Sequence, residues 1–367
     1  MCALRRDIKE KSGWKVLAIN IKYNSTILAV FEGDKVIFVE NLWHPISDIK
    51  KFDSIEDEAI YRYNFIVQVL NSKKIDIKNL SCVTVKGGIL KNIESGTYII
   101  DKLIVNELKH NIYGEHSLNV GPIIAYKLYN EFKIKPYMIN AVTVNEMEPI
   151  AKYTGIKGIE RKSFFHALSQ KSVAKRYAKD HNKKYEDLNI IVAYLGSGIT
   201  IGAHKKGRVV DVNSSLEGEG PFSPERSGSI PMTSLLEMCF NKNFTYEELK
   251  ELIEGKGGCV AYFNNSDLRS IVENIQNGDE GSRKIIEAMA YQISKEIGKC
   301  AVVLDGNVDA IILTGGIAYC RPIVDLIKNR VNRIASVHLY AGKDELTDMV
   351  EEAIRILNGD EELKHYY

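Results

Sequence analysis

Residues 189–228 read NIIVAYLGSGITIGAHKKGRVVDVNSSLEGEGPFSPERSG. An apolar run over 190–195 meets a tight Gly196-Ser197-Gly198 turn. A second run over 199–203 ends in a basic turn, Lys205-Lys206-Gly207, and a third follows over 209–212. Short β-branched runs bounded by glycine turns predict strands, here two linked hairpins. Glycines in the first turn let its backbone N–H groups converge on one point, which is how a phosphate is cradled. The stretch closes in an acidic, Gly/Pro-rich loop holding Glu217, Glu219, Glu225 and Arg226. Such a loop is too polar and irregular for core, and loops of this kind carry function. An ordinary hairpin with a surface loop looks the same locally; repetition separates the two readings.

The pattern occurs twice. Residues 15–20 form an apolar strand, 21–24 a polar turn and 25–31 a second strand; Gly33-Asp34 is a hairpin turn and 36–39 a third strand, so that Val36 corresponds to Val209. After an amphipathic helix over 56–71, the buried run 82–85 ends in Lys86-Gly87-Gly88. In the second half 310–313 ends in Thr314-Gly315-Gly316, and 136–140 is matched by 337–341. An internal repeat outranks single motifs and implies an α/β fold with two lobes, each a mixed sheet built in the same order. Further helices are expected over 119–132, 163–180, 279–304 and 345–357, and Thr245-Tyr246-Glu247-Glu248 is a capping box. Lysines 171, 175 and 179 read as a solvated helix face. The 279–304 helix is apolar enough to sit between domains or subunits. The expected lobes are 1–150 and 151–367, with a hinge near 145–160 and the last strand and helix as candidates to pack back across it.

The chain of 367 residues is 45% hydrophobic, enough for two packed domains. Lys plus Arg number 49 against 48 Asp plus Glu, so the net charge of +1 speaks against nucleic acid or an anionic membrane as main partner. Six cysteines, at 2, 82, 239, 259, 300 and 320, form no C-x-x-C pair and read as buried apolar thiols in a reducing compartment. The first 13 residues are charged and lack the apolar core of a signal peptide. No apolar run approaches the ~20 residues of a membrane span. These features point to a soluble cytoplasmic protein. Two similar lobes facing each other would grip a nucleotide's phosphates, and closure would exclude water. Phosphoryl transfer needs mainly positioning and charge neutralisation, so the residues alone lead to a two-lobed phosphotransferase or nucleotide switch.

Several stretches carry a more specific resemblance: Gly218-Glu219-Gly220-Pro221-Phe222-Ser223-Pro224-Glu225-Arg226-Ser227-Gly228, Arg161-Lys162-Ser163-Phe164-Phe165-His166-Ala167-Leu168, Gly114-Glu115-His116, Asn145-Glu146-Met147-Glu148 and Leu313-Thr314-Gly315-Gly316. With these, in order from Trp14 to Leu357, the chain resembles the butyrate kinases of the acetate kinase group, within the actin and sugar-kinase superfamily. The resemblance implies duplicated actin-like ATPase (ribonuclease H-like) lobes with a nucleotide cleft between them. It implies transfer of the ATP γ-phosphoryl to a short-chain carboxylate such as butyrate, with Mg²⁺, in a homo-oligomer. Carried over, Arg226 would neutralise the moving phosphoryl, as a planar fork suits phosphate oxygens. Gly196, Ser197 and Gly198 would hold the β- and γ-phosphates, and Gly315 and Gly316 would admit adenosine. Gly87, Gly88, His116 and Glu225 would line the carboxylate site, and Asn20 and Glu345 would hold the metal. Glu345 reads equally as a helix N-terminal carboxylate.

The chain departs from the family at its first phosphate loop, where Asn-Pro-Gly-Ser-Thr-Ser-Thr-Lys is replaced by Asn20-Ile21-Lys22-Tyr23-Asn24-Ser25-Thr26-Ile27. Ser25 and Thr26 are the hydroxyls left there for phosphate. Lys86 stands for an arginine, Tyr194 for a histidine and Asn140 for an aspartate, all three at catalytic positions. An active ATP:carboxylate phosphotransferase therefore competes with a paralogue that binds nucleotide or acyl ligand without turnover. A sugar kinase would want a catalytic aspartate where Asn140 stands.

Overall fold

The structure, a computed structural model, describes residues 13–241, 244–342 and 345–367. Cys2 and the charged stretch up to residue 12 lie outside the described residues. The chain forms two compact units. One holds the described residues up to Val144 and from Glu345 onward; the other holds those from Asn145 to Gly342.

In the first unit, β1 (Lys15–Lys22), β2 (Ser25–Glu32), β3 (Lys35–Trp43), β4 (Cys82–Lys86), β5 (Thr97–Ile99) and β6 (Lys135–Ile139) make a mixed sheet in the order β3-β2-β1-β4-β6-β5. In the second, β7 (Asn189–Leu195), β8 (Ile199–Lys205), β9 (Arg208–Val212), β10 (Ala310–Gly315) and β11 (Val337–Ala341) lie in the order β11-β10-β7-β8-β9. Taken from its other end, the second order repeats the first strand for strand. Each runs two antiparallel pairs and then two parallel ones. Even the outer hairpins agree, with register shifts at Val30/Phe31 and Ala203/His204. The duplication legible in the sequence thus holds through five strands, and β5 is the addition.

Strands β4, β7 and β10 are buried along their whole length, as parallel strands covered on both faces must be. Alternation on β7 shows how. Ile190 and Val192 meet the helix Ala167–Asp180, while Ile191, Ala193 and Leu195 join the core made by the helices Glu280–Val303 and Arg321–Val331. Through Ile286, Met289, Ala290, Ile293, Ile297 and Cys300 the 280–303 helix packs into the core of its own unit.

A correction concerns Lys171, expected on a solvated face. Its side chain is 5% exposed, and its Nζ donates to both carboxylate oxygens of Glu146, at 2.8 and 2.7 Å. Glu146 Oε2 also accepts the Val209 N–H at 2.9 Å, and Glu148 N–H donates to the Val210 carbonyl at 2.9 Å. These bonds clip the segment from Asn145 onto the β8–β9 hairpin, which is why the division falls before Asn145 and not at residue 150. The returning helix Glu345–Asn358 packs on β1 and β4 of the first unit, while β11 stays in the second sheet.

Two buried histidines make the fold acid-sensitive. Burial, together with the Lys171 charge, pulls His204 down to about 3; burial and the Arg62 charge pull His44 to about 4. Below the ordinary value of 6.5 the unfolded chain binds protons that the native chain refuses, so stability is full above that value and falls as pH drops toward these lowered values. Between pH 7.5 and 5.5 the pair should cost about 2–3 kcal/mol. Urea unfolding at the two pH values checks this, and His204→Gln should flatten the slope.

Candidate active site

In the first unit, β1 and β4 run parallel with Ile19 opposite Val85, so Asn20 and Lys86 follow side by side at the strand ends. The helix Glu345–Asn358 begins where they end. Asn20 Nδ2 donates to Glu345 Oε2 at 2.6 Å, and Lys86 Nζ donates to Oε1 at 3.0 Å. All three side chains are buried. Glu345 also lies at the positive end of its helix, where a carboxylate is favoured.

Mg²⁺ takes oxygen ligands, keeps several waters and is held through one or two carboxylates plus substrate phosphates. Glu345 offers the one carboxylate. Asn20 offers its amide oxygen, because its nitrogen is the atom turned to Glu345. No group of three or more His, Cys, Asp or Glu side chains among the described residues could cage a metal. The donor set fits an ion that arrives on phosphates and shares Glu345 with the Lys86 ammonium.

Other expected residues of this unit have protein partners that account for them. Asn140 adopts φ 38°, and its Oδ1 accepts the Gly96 N–H at 2.8 Å. A Cβ on Gly87 would lie 2.5 Å from Ala141 Cβ, and one on Gly88 2.5 Å from Asn119 Oδ1, so close packing alone requires glycine at both. His116 Nδ1 accepts the Leu118 N–H at 3.1 Å, which puts the proton of its neutral ring on Nε2. Thr26 needs correction. It is fully buried; its Oγ1 accepts from Arg62 at 3.1 Å and lies 3.0 Å from His44 Nε2, so its hydroxyl serves the interior and not a phosphate. The Ser25 side chain is buried as well.

In the second unit, Tyr194 near the end of β7 stacks on His166, ring centroids 3.8 Å apart at 18°. The Gly196-Ser197-Gly198 turn folds over this stack; a Cβ on Gly196 would come 2.9 Å from the Tyr194 ring. At Gly198 a Cβ would come 2.3 Å from Arg226 NH1 and 2.6 Å from Cζ, so the guanidinium lies directly on the bare backbone of the turn. Ser215 Oγ accepts from Arg226 NH1 at 2.5 Å. Ser223 Oγ accepts the Arg226 N–H at 3.0 Å and donates to the Ser197 carbonyl, tying loop to turn. Glu225 N–H lies 3.4 Å from the same hydroxyl. Arg161, paired with Asp211 at 2.9 Å and Glu219 at 3.1 Å, anchors the start of the loop. Burial lowers the Arg226 pKa, while Glu254, Glu225 and Tyr194 oppose the shift, and a guanidinium stays charged.

His166 lies in the 161–168 stretch but outside the site residues expected from the sequence. Its Nδ1 stands at the end of a buried chain of hydrogen bonds. Gln170 Nε2 donates to Thr200 Oγ1 at 2.9 Å, so Gln170 Oε1 must accept from His204 Nε2 at 3.0 Å, and His204 Nδ1 from the Tyr185 hydroxyl at 2.7 Å. Thr200 Oγ1 in turn lies 3.0 Å from His166 Nδ1. The signal available in the sequence was one imidazole closing the apolar Phe164-Phe165 pair ahead of a helix.

Gly315 and Gly316 differ. Gly315 has φ 91°, and a Cβ there would lie 2.3 Å from the Leu195 carbonyl oxygen; at Gly316 a Cβ meets nothing within 4 Å. Gly315→Ala should therefore cost about 1–3 kcal/mol of stability, while Gly316→Ala should fold as the parent. If adenosine rests on that backbone, Gly316→Ala raises the ATP KM several-fold and leaves the carboxylate KM alone; steady-state kinetics with both substrates varied decides.

A lobe of this strand order, present twice, gives the chain the α/β fold seen in acetate kinases. A family model described as the Acetokinase family matches residues 147–337. The chain is 44% identical over 353 residues to butyrate kinase 1 of Clostridium acetobutylicum, covering 96% of this chain and 99% of that protein. It is 43% identical to a probable butyrate kinase of Clostridium botulinum, with the same coverage. Acetate kinase of Porphyromonas gingivalis superposes with TM-score 0.76 at 20% identity, over 94% of this chain and 100% of that one. A propionate kinase from Francisella tularensis gives TM-score 0.76 at 15% identity, over 92% and 98%. The chain belongs to the acetokinase family, and these full-length relatives are butyrate kinases.

Proposed function

We propose that the chain transfers the γ-phosphoryl of ATP to butyrate or a similar short-chain carboxylate, giving butanoyl phosphate and ADP. The observation that carries this reading is the Arg226 guanidinium seated on Gly198 of the Gly-Ser-Gly turn. A carboxylate oxygen forms a bond to the γ-phosphorus while the bond from that phosphorus to the bridging oxygen of ADP breaks. Little covalent chemistry falls to the protein; positioning and neutralisation dominate. The 196–198 backbone would hold phosphate, and Arg226 would meet the charge spread over the equatorial oxygens. His166, held by Thr200 and stacked on Tyr194, would place an imidazole where the family has a histidine. Lys86, with His116, would attract the carboxylate. Mg²⁺, held by Asn20 and Glu345, would supply charge neutralisation on the phosphates when bound.

Five free cysteines and the absence of any helix long and apolar enough to cross a membrane, both among the described residues, support a cytoplasmic setting. The homo-oligomer is carried over from the family. A hydroxylamine trap for acyl phosphate, run with butyrate, isobutyrate and acetate, tests the activity. Hydroxamate from butyrate is the expected outcome. No hydroxamate, with ATP still raising the melting temperature, would make the chain a nucleotide binder without turnover.

A further inference from the structure

The helix Met232–Asn241 buries none of its ten residues. Six of them are apolar: Met232, Leu235, Leu236, Met238, Cys239 and Phe240. Leu235, Met238 and Cys239 are half-buried, whereas Met232, Leu236 and Phe240 are 75%, 54% and 79% exposed. At spacing i, i+4 and i+8 these three form one stripe along the helix. Glu237 is the one charge on the helix, and it falls outside the stripe. Ile230, 40% exposed, stands just ahead of it. The helix starts from a fixed point. Ser229 N–H donates to the Gly220 carbonyl at 2.9 Å, and Ser229 Oγ accepts the Gly220 N–H at 3.0 Å. Gly228 lies so close to the 220–222 backbone that a Cβ would come 2.4 Å from the Phe222 nitrogen. The helix is thus held on its own unit by its root, with the stripe left uncovered.

We propose that this stripe docks a second copy of this chain through the same helix, across a two-fold axis. An i, i+4, i+8 row is the ridge that packs against its own kind in the commonest class of helix crossing. Laid antiparallel, Leu236 meets the other copy's Leu236, and Met232 meets the other copy's Phe240, so the surface complements itself. With no charge on the stripe the two copies do not repel, and an apolar, uncharged centre suits a homodimer better than a transient contact with an unlike protein. With Ile230 the stripe offers roughly 400 Å² of apolar surface. That is about half of the ~800 Å² that a standard interface takes from each partner, with Thr233 and Glu237 beside it for a polar rim. The proposal stands apart from the phosphotransferase reading, since it concerns assembly alone.

The test is the mass of the full chain in solution, by light scattering behind a sizing column at about 1–50 μM. The parent should run at an even multiple of 41.4 kDa. Leu236→Glu and Phe240→Glu each set a carboxylate into the apolar contact. Each should raise the dissociation constant about 100-fold or more and halve the particle mass. Ser234→Glu, on the far side of the same helix, should leave the mass unchanged. Because the helix buries none of its residues, circular dichroism of all three should match the parent. Met232→Lys carries the test if a glutamate variant on the stripe does not fold. A monomeric parent would overturn the proposal. So would an oligomer whose mass the stripe variants leave unchanged, or one that Ser234→Glu breaks equally.

Discussion

Arg226→Ala should lower kcat for acyl phosphate formation by about 10²–10³, the usual loss when one preorganised charge is removed from the developing transition state. The fold should survive. The Arg226 side chain bonds only to Ser215 among the hydrogen bonds seen, whereas the loop backbone is held by Ser223 and by Arg161 with Asp211 and Glu219. Arg226→Lys should recover little, since an ammonium lacks the planar fork that lies on Gly198 and meets two oxygens at once. Gly198→Ala should imitate the loss with Arg226 still present, because its Cβ would fall 2.3 Å from NH1. Hydroxamate assays on these three variants, with melting curves for folding, check the assignment. Parental turnover in Arg226→Ala would show that phosphoryl charge is met elsewhere.

Glu146→Ala should destabilise the fold by about 3–5 kcal/mol. It removes the carboxylate that takes Lys171 through both oxygens and also accepts the Val209 N–H, and it leaves an ammonium 5% exposed without that partner. The Glu146→Leu, Lys171→Met double variant should recover most of the loss, since apolar groups of similar volume often replace a buried pair without penalty. Urea unfolding of single and double variants measures this. A single variant within 1 kcal/mol of the parent would mean that the pair is solvated in solution.

The duplicated sheet was legible because it is written in short-range features. Strands such as 190–195 and 310–313 are continuous apolar runs cut by glycine turns, and the same succession of runs appears twice. Boundaries held to within a residue or two for most of these strands and for the helices at 55–72 and 280–303. The second-unit site was legible for the same reason. Tyr194, Gly196, Gly198 and Arg226 fall within one stretch of hairpin and loop, and chain connectivity already brings them close.

What sequence could not disclose is which distant groups meet. Glu345 lies 325 residues from Asn20 and 259 from Lys86, yet one carboxylate takes both. Nothing in the periodicity of 163–180 announced that Lys171 turns inward, since an inward lysine and a solvated one differ only in whether a remote Glu146 is there to meet it. Thr26 looked like a phosphate hydroxyl until Arg62, from a helix more than thirty residues on, claimed it. Local backbone preference sets strands and turns, so the order of the two sheets could be read directly. Buried charges and hydroxyls are placed by the partner that offsets their desolvation, and that partner is chosen by how the sheets and helices pack in three dimensions.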